Sequence, residues 1–129
     1  MIISQDQAIA LSKSGVDMWI YSGRDECPHA AIAYQETAVG HAEEFRHHKS
    51  AFIYFIIEGE GEWVIEGEAH PVKAHDVVIV PPGKRFYYHG TLKHVCITAP
   101  AWEPEFEESL GAVGLEQPIG SSSCDASGK

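Results

Sequence analysis

Side chains that can move a proton or hold an anion are concentrated in one histidine-bearing segment, residues 40–59. His48 lies in this segment, and because imidazole titrates near neutral pH it is a candidate general acid or base. Arg46 lies two residues earlier. Its planar guanidinium suits a carboxylate or a phosphate, which makes it a candidate anchor for an anionic ligand. Two alternatives stay open: Arg46 in an ion pair with a nearby glutamate, and His48 hydrogen-bonded to a tyrosine.

The elements that would position these residues are indicated by two segments, 40–59 and 75–90, whose spacing resembles the two signature motifs of the cupin superfamily. The positions of the first motif fall on Gly40, Arg46, His48, Phe52 and Gly59. Those of the second motif fall on His75, Pro81, Gly83, Phe86 and Gly90. The resemblance implies an all-β, single-domain antiparallel β-barrel of the jelly-roll or double-stranded β-helix type, which holds a metal or a small ligand inside.

The period of a β-strand then predicts which side chains share the interior. Successive side chains point to opposite faces, so residues of equal parity on one strand face the same way. In the register of the cupin motifs, six side chains face into the barrel and form the predicted ligand site: Arg46, His48, Phe52, Tyr54, Phe86 and Tyr88. The two tyrosines are candidate proton carriers beside the histidine. The alternative for each tyrosine is core packing with a satisfied hydroxyl group.

The usual cupin metal site does not follow from these residues. The resemblance places Arg46, Phe52 and Phe86 where the family has metal ligands, and only His48 remains of the expected histidines. A mononuclear site needs about four donors, or three and an open position. No cofactor is therefore favoured. A divalent metal stays an alternative through relocated histidines, because a slip of one residue reverses the facing of a strand. The first candidates are His47, His48 and His89, and the further candidates are His41 and His94.

The chain divides into four parts around a predicted barrel core at residues 30–100. Residues 1–29 are predicted to form an N-terminal arm with a short helix, and residues 101–116 a C-terminal arm. Residues 117–129 are small and polar, which is typical of a disordered tail. A length of 129 residues is that of one domain.

The apolar run at residues 52–57 predicts a covered outer surface. A strand of a small antiparallel barrel ordinarily alternates between core and solvent. Here Ile53, Phe55 and Ile57 would face away from the core and are nevertheless apolar. Either the N-terminal segment or a second subunit must cover them. The resemblance favours a homodimer, since cupins often pair in this way.

Composition argues against several classes of partner. The formal net charge is −10 with nine Lys and Arg, which disfavours a nucleic-acid surface. No stretch reaches the roughly 18 apolar residues of a membrane span and no signal peptide is visible, so no membrane partner is expected. Three cysteines without CxxC spacing indicate neither a disulfide framework nor a zinc cage. Together these features predict a cytoplasmic protein.

Three functions follow as hypotheses. The first, and our prediction, is a protein that binds a small, anionic or sugar-like molecule in an aromatic barrel cavity without the usual metal site. The second is a metal-independent isomerase, epimerase or lyase in which His48 moves a proton, Tyr54 or Tyr88 is a second carrier, and Arg46 holds an anion. The third is a metal-dependent enzyme with relocated histidine ligands.

Overall fold

The computed structural model describes residues 1–115, which form nine β-strands in one antiparallel sheet. The strands are β1 (Ile9–Lys13), β2 (Val16–Ser22), β3 (Ala31–Thr37), β4 (Gly40–His47), β5 (Ala51–Ile65), β6 (Glu68–Lys73), β7 (Val77–Val80), β8 (Phe86–Ala99) and β9 (Glu107–Ala112). The helical pieces of this part of the chain are two 3-10 turns, Gln5–Gln7 and Pro104–Phe106. Neither is long and apolar enough to cross a bilayer. The prediction of an all-β antiparallel barrel is confirmed, in the form of a strongly curled sheet.

Two long strands, β5 and β8, hold the sheet together. They pair over nearly their whole length, from Ala51 opposite Ala99 to Ile65 opposite Phe86. The other edge of β8 pairs with β4 near its start and with β3 towards its end. The other edge of β5 pairs with β6 and β7. Because β8 contacts β3, β4 and β5, side chains from four strands meet on the inner face of the sheet.

Glycines let β5 and β8 bend together, which curls the sheet into a barrel. Gly90 has a φ of +134°, and a Cβ there would lie 2.5 Å from the carbonyl oxygen of Glu60 on β5. Gly59 has a φ of +96°, and a Cβ there would overlap the carbonyl oxygen of Thr91. Glycine tolerates both the positive φ and the close approach of the backbone. This geometry explains why glycine stands at these two motif positions.

The inner face of the sheet buries an aromatic core. Alternate residues of β5 and β8 supply most of it, and Trp63, Phe86 and Tyr88 are its largest fully buried members. Several ring pairs contact edge to face, as Tyr54 and Tyr88 do with 5.6 Å between centroids. Such pairs add to the stabilisation that comes from burying apolar area. One side of this core forms a wall of the interior cavity.

The outer face of β5 and β7 is apolar and exposed. Across β5 and β7, Ile53 lies opposite Ile79 and Phe55 lies opposite Val77. Val77 and Ile79 are 55 % and 60 % exposed. The N-terminal segment therefore does not cover these residues.

Both ends of the described chain join the sheet. The helix predicted in the N-terminal arm is wrong: after one 3-10 turn, β1 pairs with β2, and β2 pairs with β3. A tight turn with positive φ at Ser14 and Gly15 closes the first hairpin, and strand pairing outweighs the weak helical pattern before it. In the predicted C-terminal arm, β9 pairs with β4. The predicted disordered tail, 117–129, lies outside the described residues.

Candidate functional site

A cavity of about 210 Å³ opens on the inner face of the sheet, between β3, β4, β5 and β8. Aromatic side chains of the core form its deep wall, and residues of β1 and β9 form its mouth. Six of its side chains carry a charge, an amide, an imidazole or a phenol: Lys13, Gln35, His41, Tyr54, Tyr88 and Glu107. The two tyrosines belong to the predicted ligand site, and the other four do not.

His41 places an imidazole in the cavity. It lies near the start of β4, opposite Tyr88 on β8. Its Nδ1 is 2.7 Å from the backbone carbonyl oxygen of Glu43, a contact that requires the proton on Nδ1 and leaves the lone pair on Nε2. Burial lowers the pKa of His41 below its ordinary 6.5, although the Glu43 carbonyl acts in the opposite direction. The ring is therefore neutral at neutral pH and can accept a proton at Nε2.

Tyr54 and Tyr88 place two phenol groups beside His41. Their ring centroids are 5.6 Å apart, and the His41 ring lies 5.7 Å from that of Tyr88. Burial raises the pKa of both tyrosines well above the ordinary value. Trp63 stacks on Tyr88 with 4.2 Å between centroids and restricts the motion of that ring. The two hydroxyl groups therefore stay protonated and can donate hydrogen bonds.

The mouth of the cavity is formed by an ion pair between the two ends of the sheet. Lys13 of β1 lies 3.4 Å from Glu107 of β9, measured from Nζ to Oε2. The indole Nε1 of Trp102 donates to the other carboxylate oxygen of Glu107 at 2.8 Å. Both strands lie in segments predicted to be arms, so this part of the site was not predicted from the sequence. It depends on β1 and β9 lying close together, and only long-range strand pairing brings them there.

One polar group in the cavity wall lacks a hydrogen-bond partner. Gln35 of β3 is 8 % exposed, and within residues 1–115 its Oε1 accepts no hydrogen bond. Its Nε2 approaches the sulfur of Met18 at 4.0 Å, which is a weak contact. Nearby on the same wall, burial raises the pKa of the Cys96 thiol to about 12. Gln35 thus offers an amide to a ligand, whereas Cys96 is a neutral thiol.

Arg46 and His48 point away from the cavity, so their predicted facing is wrong. The Nε of Arg46 lies 3.0 Å from Oε1 of Glu108, and the Nε2 of His48 lies 2.9 Å from the same oxygen. These two hydrogen bonds lower the pKa of the Glu108 carboxyl group. The physical reason for the error is the alternation of β4: Phe45 and His47 are buried, so the residues after each of them face outward.

The predicted aromatic residues divide between the cavity and the core behind it. Phe52, Tyr54 and Tyr88 line the cavity. Phe86 is fully buried but lies in the core, where its ring centroid is 4.6 Å from that of Phe45. Four of the six predicted side chains therefore face inward, and three of them reach the cavity.

The histidines predicted as metal ligands are not brought together. Both ring nitrogens of His47 are hydrogen-bonded to backbone groups. His48 lies at the surface, as does His89, which is 2.9 Å from Glu62. Across residues 1–115, no group of three or more His, Cys, Asp and Glu side chains is arranged to hold a metal ion. The cavity, with His41 as its imidazole among phenols, does not fit the metal site that the cupin resemblance implies.

His41 is the inward-facing imidazole that the motif spacing does not predict. The spacing assigns the inward positions to residues 46 and 48, but the buried side chains in this part of β4 are those of Phe45 and His47. A signal was present in the sequence. Charged residues alternate with Phe45 and His47, which places the odd-numbered residues of this segment inside. His41 has that parity.

Solved structures of other proteins resemble this fold. Pac13, a nucleoside dehydratase, is 27 % identical, with a TM-score of 0.84 over 88 % of this chain and 93 % of its own. Three Streptomyces Pac13 variants with uridine, two with Tyr changed to Phe and one with His changed to Gln, are each 26 % identical. They have TM-scores of 0.83 or 0.84 over 88 % of this chain and 92 or 93 % of theirs. Ectoine synthase from P. lautus shares the fold at 16 % identity, with a TM-score of 0.70 over 96 % of each chain. No curated protein matches the sequence.

The family model of the cupin domain matches residues 33–97. This range runs from β3 almost to the end of β8 and contains both motif segments, the bend of β5 and β8, and the inner wall of the cavity. It covers half of the chain. The chain therefore belongs to the cupin-domain family.

Proposed function

We propose that this protein binds a nucleoside-like molecule in the inner cavity and removes water from it. The observation that carries the proposal is the convergence of His41, Tyr54 and Tyr88 on one cavity. In the uridine-bound Pac13 variants, the changed residues are likewise one histidine and two tyrosines. Their separations along the chain equal those between His41, Tyr54 and Tyr88. Dehydration needs a base and hydrogen-bond donors, and these three side chains supply them.

His41 is the proposed base. Loss of water breaks a C–H bond and a C–O bond and forms a C=C bond, and the proton from carbon goes to the base. Because the Glu43 carbonyl holds the Nδ1 proton, Nε2 is the nitrogen that accepts it. The lowered pKa keeps Nε2 unprotonated before the reaction. A neutral imidazole is only a moderate base, so the C–H bond must be acidified by an adjacent carbonyl group. The proposed substrate is therefore a nucleoside with a carbonyl group next to the reacting carbon.

Tyr54 and Tyr88 are the proposed hydrogen-bond donors to the substrate oxygens. One phenol donates to the carbonyl oxygen, on which negative charge develops as the proton leaves. The other donates to the departing hydroxyl group. That group leaves as water when it takes the proton that His41 Nε2 removed from carbon, so the imidazole and both phenols end the reaction in the protonation states in which they began. Their raised pKa values keep both phenols in the donor form throughout.

The charges of the cavity favour an uncharged ligand. Among the residues that line the cavity, Lys13 and Glu107 are the two with charged Lys, Arg, Asp or Glu side chains. Their opposite charges neutralise each other at the mouth. Arg46, the predicted anchor for an anion, contacts Glu108 on the outer side of the sheet. A nucleoside without phosphate therefore matches the cavity better than a nucleotide does.

The proposal is tested by incubating the purified protein with uridine and with uridine oxidised to carry a carbonyl group on its sugar. Mass spectrometry would detect a product that lacks one water. We expect the oxidised nucleoside to be converted and uridine to be bound without conversion. Absence of product from carbonyl-bearing nucleosides, together with absence of uridine binding, would exclude the function.

We also propose that a second copy of the chain covers the apolar outer patch formed by Ile53, Phe55, Val77 and Ile79. A two-fold axis places a patch against itself, and an uncharged apolar patch meets itself without like-charge repulsion. Sedimentation velocity should give a dimer for the wild type and a monomer for Ile79→Lys. Glu68→Lys, an exposed substitution on β6, is the matched control and should stay dimeric. A monomeric wild type would contradict this proposal and leave the proposed reaction untouched.

A further inference from the structure

We infer that Gln35 reads the base of the bound nucleoside, through an edge of the base on which an N–H group stands beside a C=O group. The inference rests on the proposed function, and it identifies the part of the ligand that the proposed reaction does not use. It is carried by the one amide side chain in the lining of the cavity.

The backbone of Gln35 is held in the wall of the cavity by pairing on both sides. It lies in the middle of β3, which pairs with β2 through Met18 and with β8 through His94. The residue lines the cavity although it is more than nine-tenths buried. Its only side-chain contact with a polar or sulfur atom in residues 1–115 is the long approach to Met18. Strand pairing therefore fixes the backbone of Gln35, while the amide group of its side chain is not used by the fold.

An uncommitted buried amide is costly until a ligand pairs with it. Leaving a buried acceptor unsatisfied costs about 1–3 kcal/mol, and a ligand that donates to it recovers this energy. An amide presents an acceptor and a donor side by side, and a half turn about its last bond exchanges them. The complementary surface is a lactam or imide edge, in which C=O and N–H are adjacent. Uracil has such an edge at its N3 position.

Other polar groups in this region are less suited to the role. The Thr98 hydroxyl already accepts from the backbone amide of Trp102 at 3.1 Å. His94 also lacks hydrogen-bond partners within residues 1–115, but it is fully buried among Tyr54, Trp63 and Tyr88 and does not line the cavity. Gln35 is thus the group on the ligand side of this wall.

The test is calorimetric titration of the full-length wild-type protein with uridine and with N3-methyluridine, which has a methyl group in place of the N–H. We expect methylation to weaken binding by about tenfold or more, the effect of losing one buried hydrogen bond. Equal binding of the two nucleosides would overturn the role of Gln35 and leave the proposed function standing. Binding of neither would overturn both.

A variant separates the contact from a steric effect of the methyl group. In Gln35→Ala the amide is gone and space for the methyl group is created, so the preference for uridine should fall to within about twofold. A preference that persists in Gln35→Ala would overturn the inference. Gln35→Met, which keeps the length of the side chain, provides the same comparison if the alanine variant does not give a wild-type thermal unfolding curve. In that variant uridine should bind as weakly as N3-methyluridine binds to the wild type.

Discussion

The inner and outer sides of β8, and of β4 with the residue that follows it, carry the same residue types in different surroundings. Three pairs can be compared, with the inward member first: His41 and His48, His94 and His89, and Tyr88 and Tyr87. On the inner face, burial lowers the pKa of both histidines and raises that of the tyrosine. On the outer face, His48 and His89 each contact a glutamate at the surface. In this protein, the face of the sheet on which a side chain lies decides what chemistry it can do, more than its residue type or its place in a motif.

The first pair should give the largest difference. His41→Gln removes the proposed base, so the turnover of a carbonyl-bearing nucleoside should fall by about 10²- to 10⁴-fold, with uridine affinity changed little. His48→Gln, the matched control, should keep turnover within about twofold. Steady-state kinetics with calorimetric uridine binding would check both. A loss of turnover of the same size in the two variants would contradict the assignment of His41 as the base.

The second pair concerns stability. Burial lowers the pKa of His94 to about 4, so between pH 6.5 and 4 the unfolded chain binds more protons at this position than the folded chain does. The free energy of unfolding should therefore fall as the pH falls through this range, by up to about 3 kcal/mol from His94. Urea denaturation at a series of pH values measures this. His94→Leu should reduce the slope, apart from the smaller part in the same direction that His41 contributes, and His89→Leu is the control at the surface. An unchanged slope in His94→Leu would contradict the assignment.

The third pair concerns the phenols. Tyr88→Phe removes one proposed donor and should lower turnover by about tenfold to a hundredfold, because a hydrogen bond to a charged group is lost. Tyr87→Phe changes the neighbouring residue, which alternates to the other face of β8, and should have no measurable effect. Turnover measured at saturating substrate distinguishes the two. Equal rates for Tyr88→Phe and the wild type would remove this tyrosine from the reaction.

The smallest effect is expected on the outer face itself. Glu108→Gln disrupts the contacts with Arg46 and His48, but exposed ion pairs contribute little to stability. Thermal unfolding and turnover should both stay at wild-type values. A clear loss of turnover would mean that Arg46 and His48 influence the cavity from outside, and would restore the role that the motif spacing gave them.

Much of the fold could be predicted from the sequence because the motif residues report on local backbone geometry. Gly59 and Gly90 mark the bend at which β5 and β8 approach too closely for a side chain. Phe52 and Tyr54 follow the alternation of a regular strand and face inward as predicted. In these positions the requirement is local, so the spacing of residues carries it.

The rest of the site depends on features that spacing does not carry. The alternation of β4 places His41 inside and His48 outside, whereas the family motif assigns the inward positions to residues 46 and 48. Lys13 and Glu107 meet at the mouth because β1 and β9 join distant parts of the sheet. Such long-range pairing follows from the whole topology, so neither chain end could be assigned to the site from its own sequence.

A crystal structure of the His41→Gln variant with uridine would show directly whether the inner cavity is the nucleoside site. We expect uridine to lie in this cavity, with its sugar beside residue 41, Tyr54 and Tyr88 and its base towards Gln35. Uridine bound elsewhere on the protein, or an inner cavity that does not take it up at saturating concentration, would contradict the proposed function.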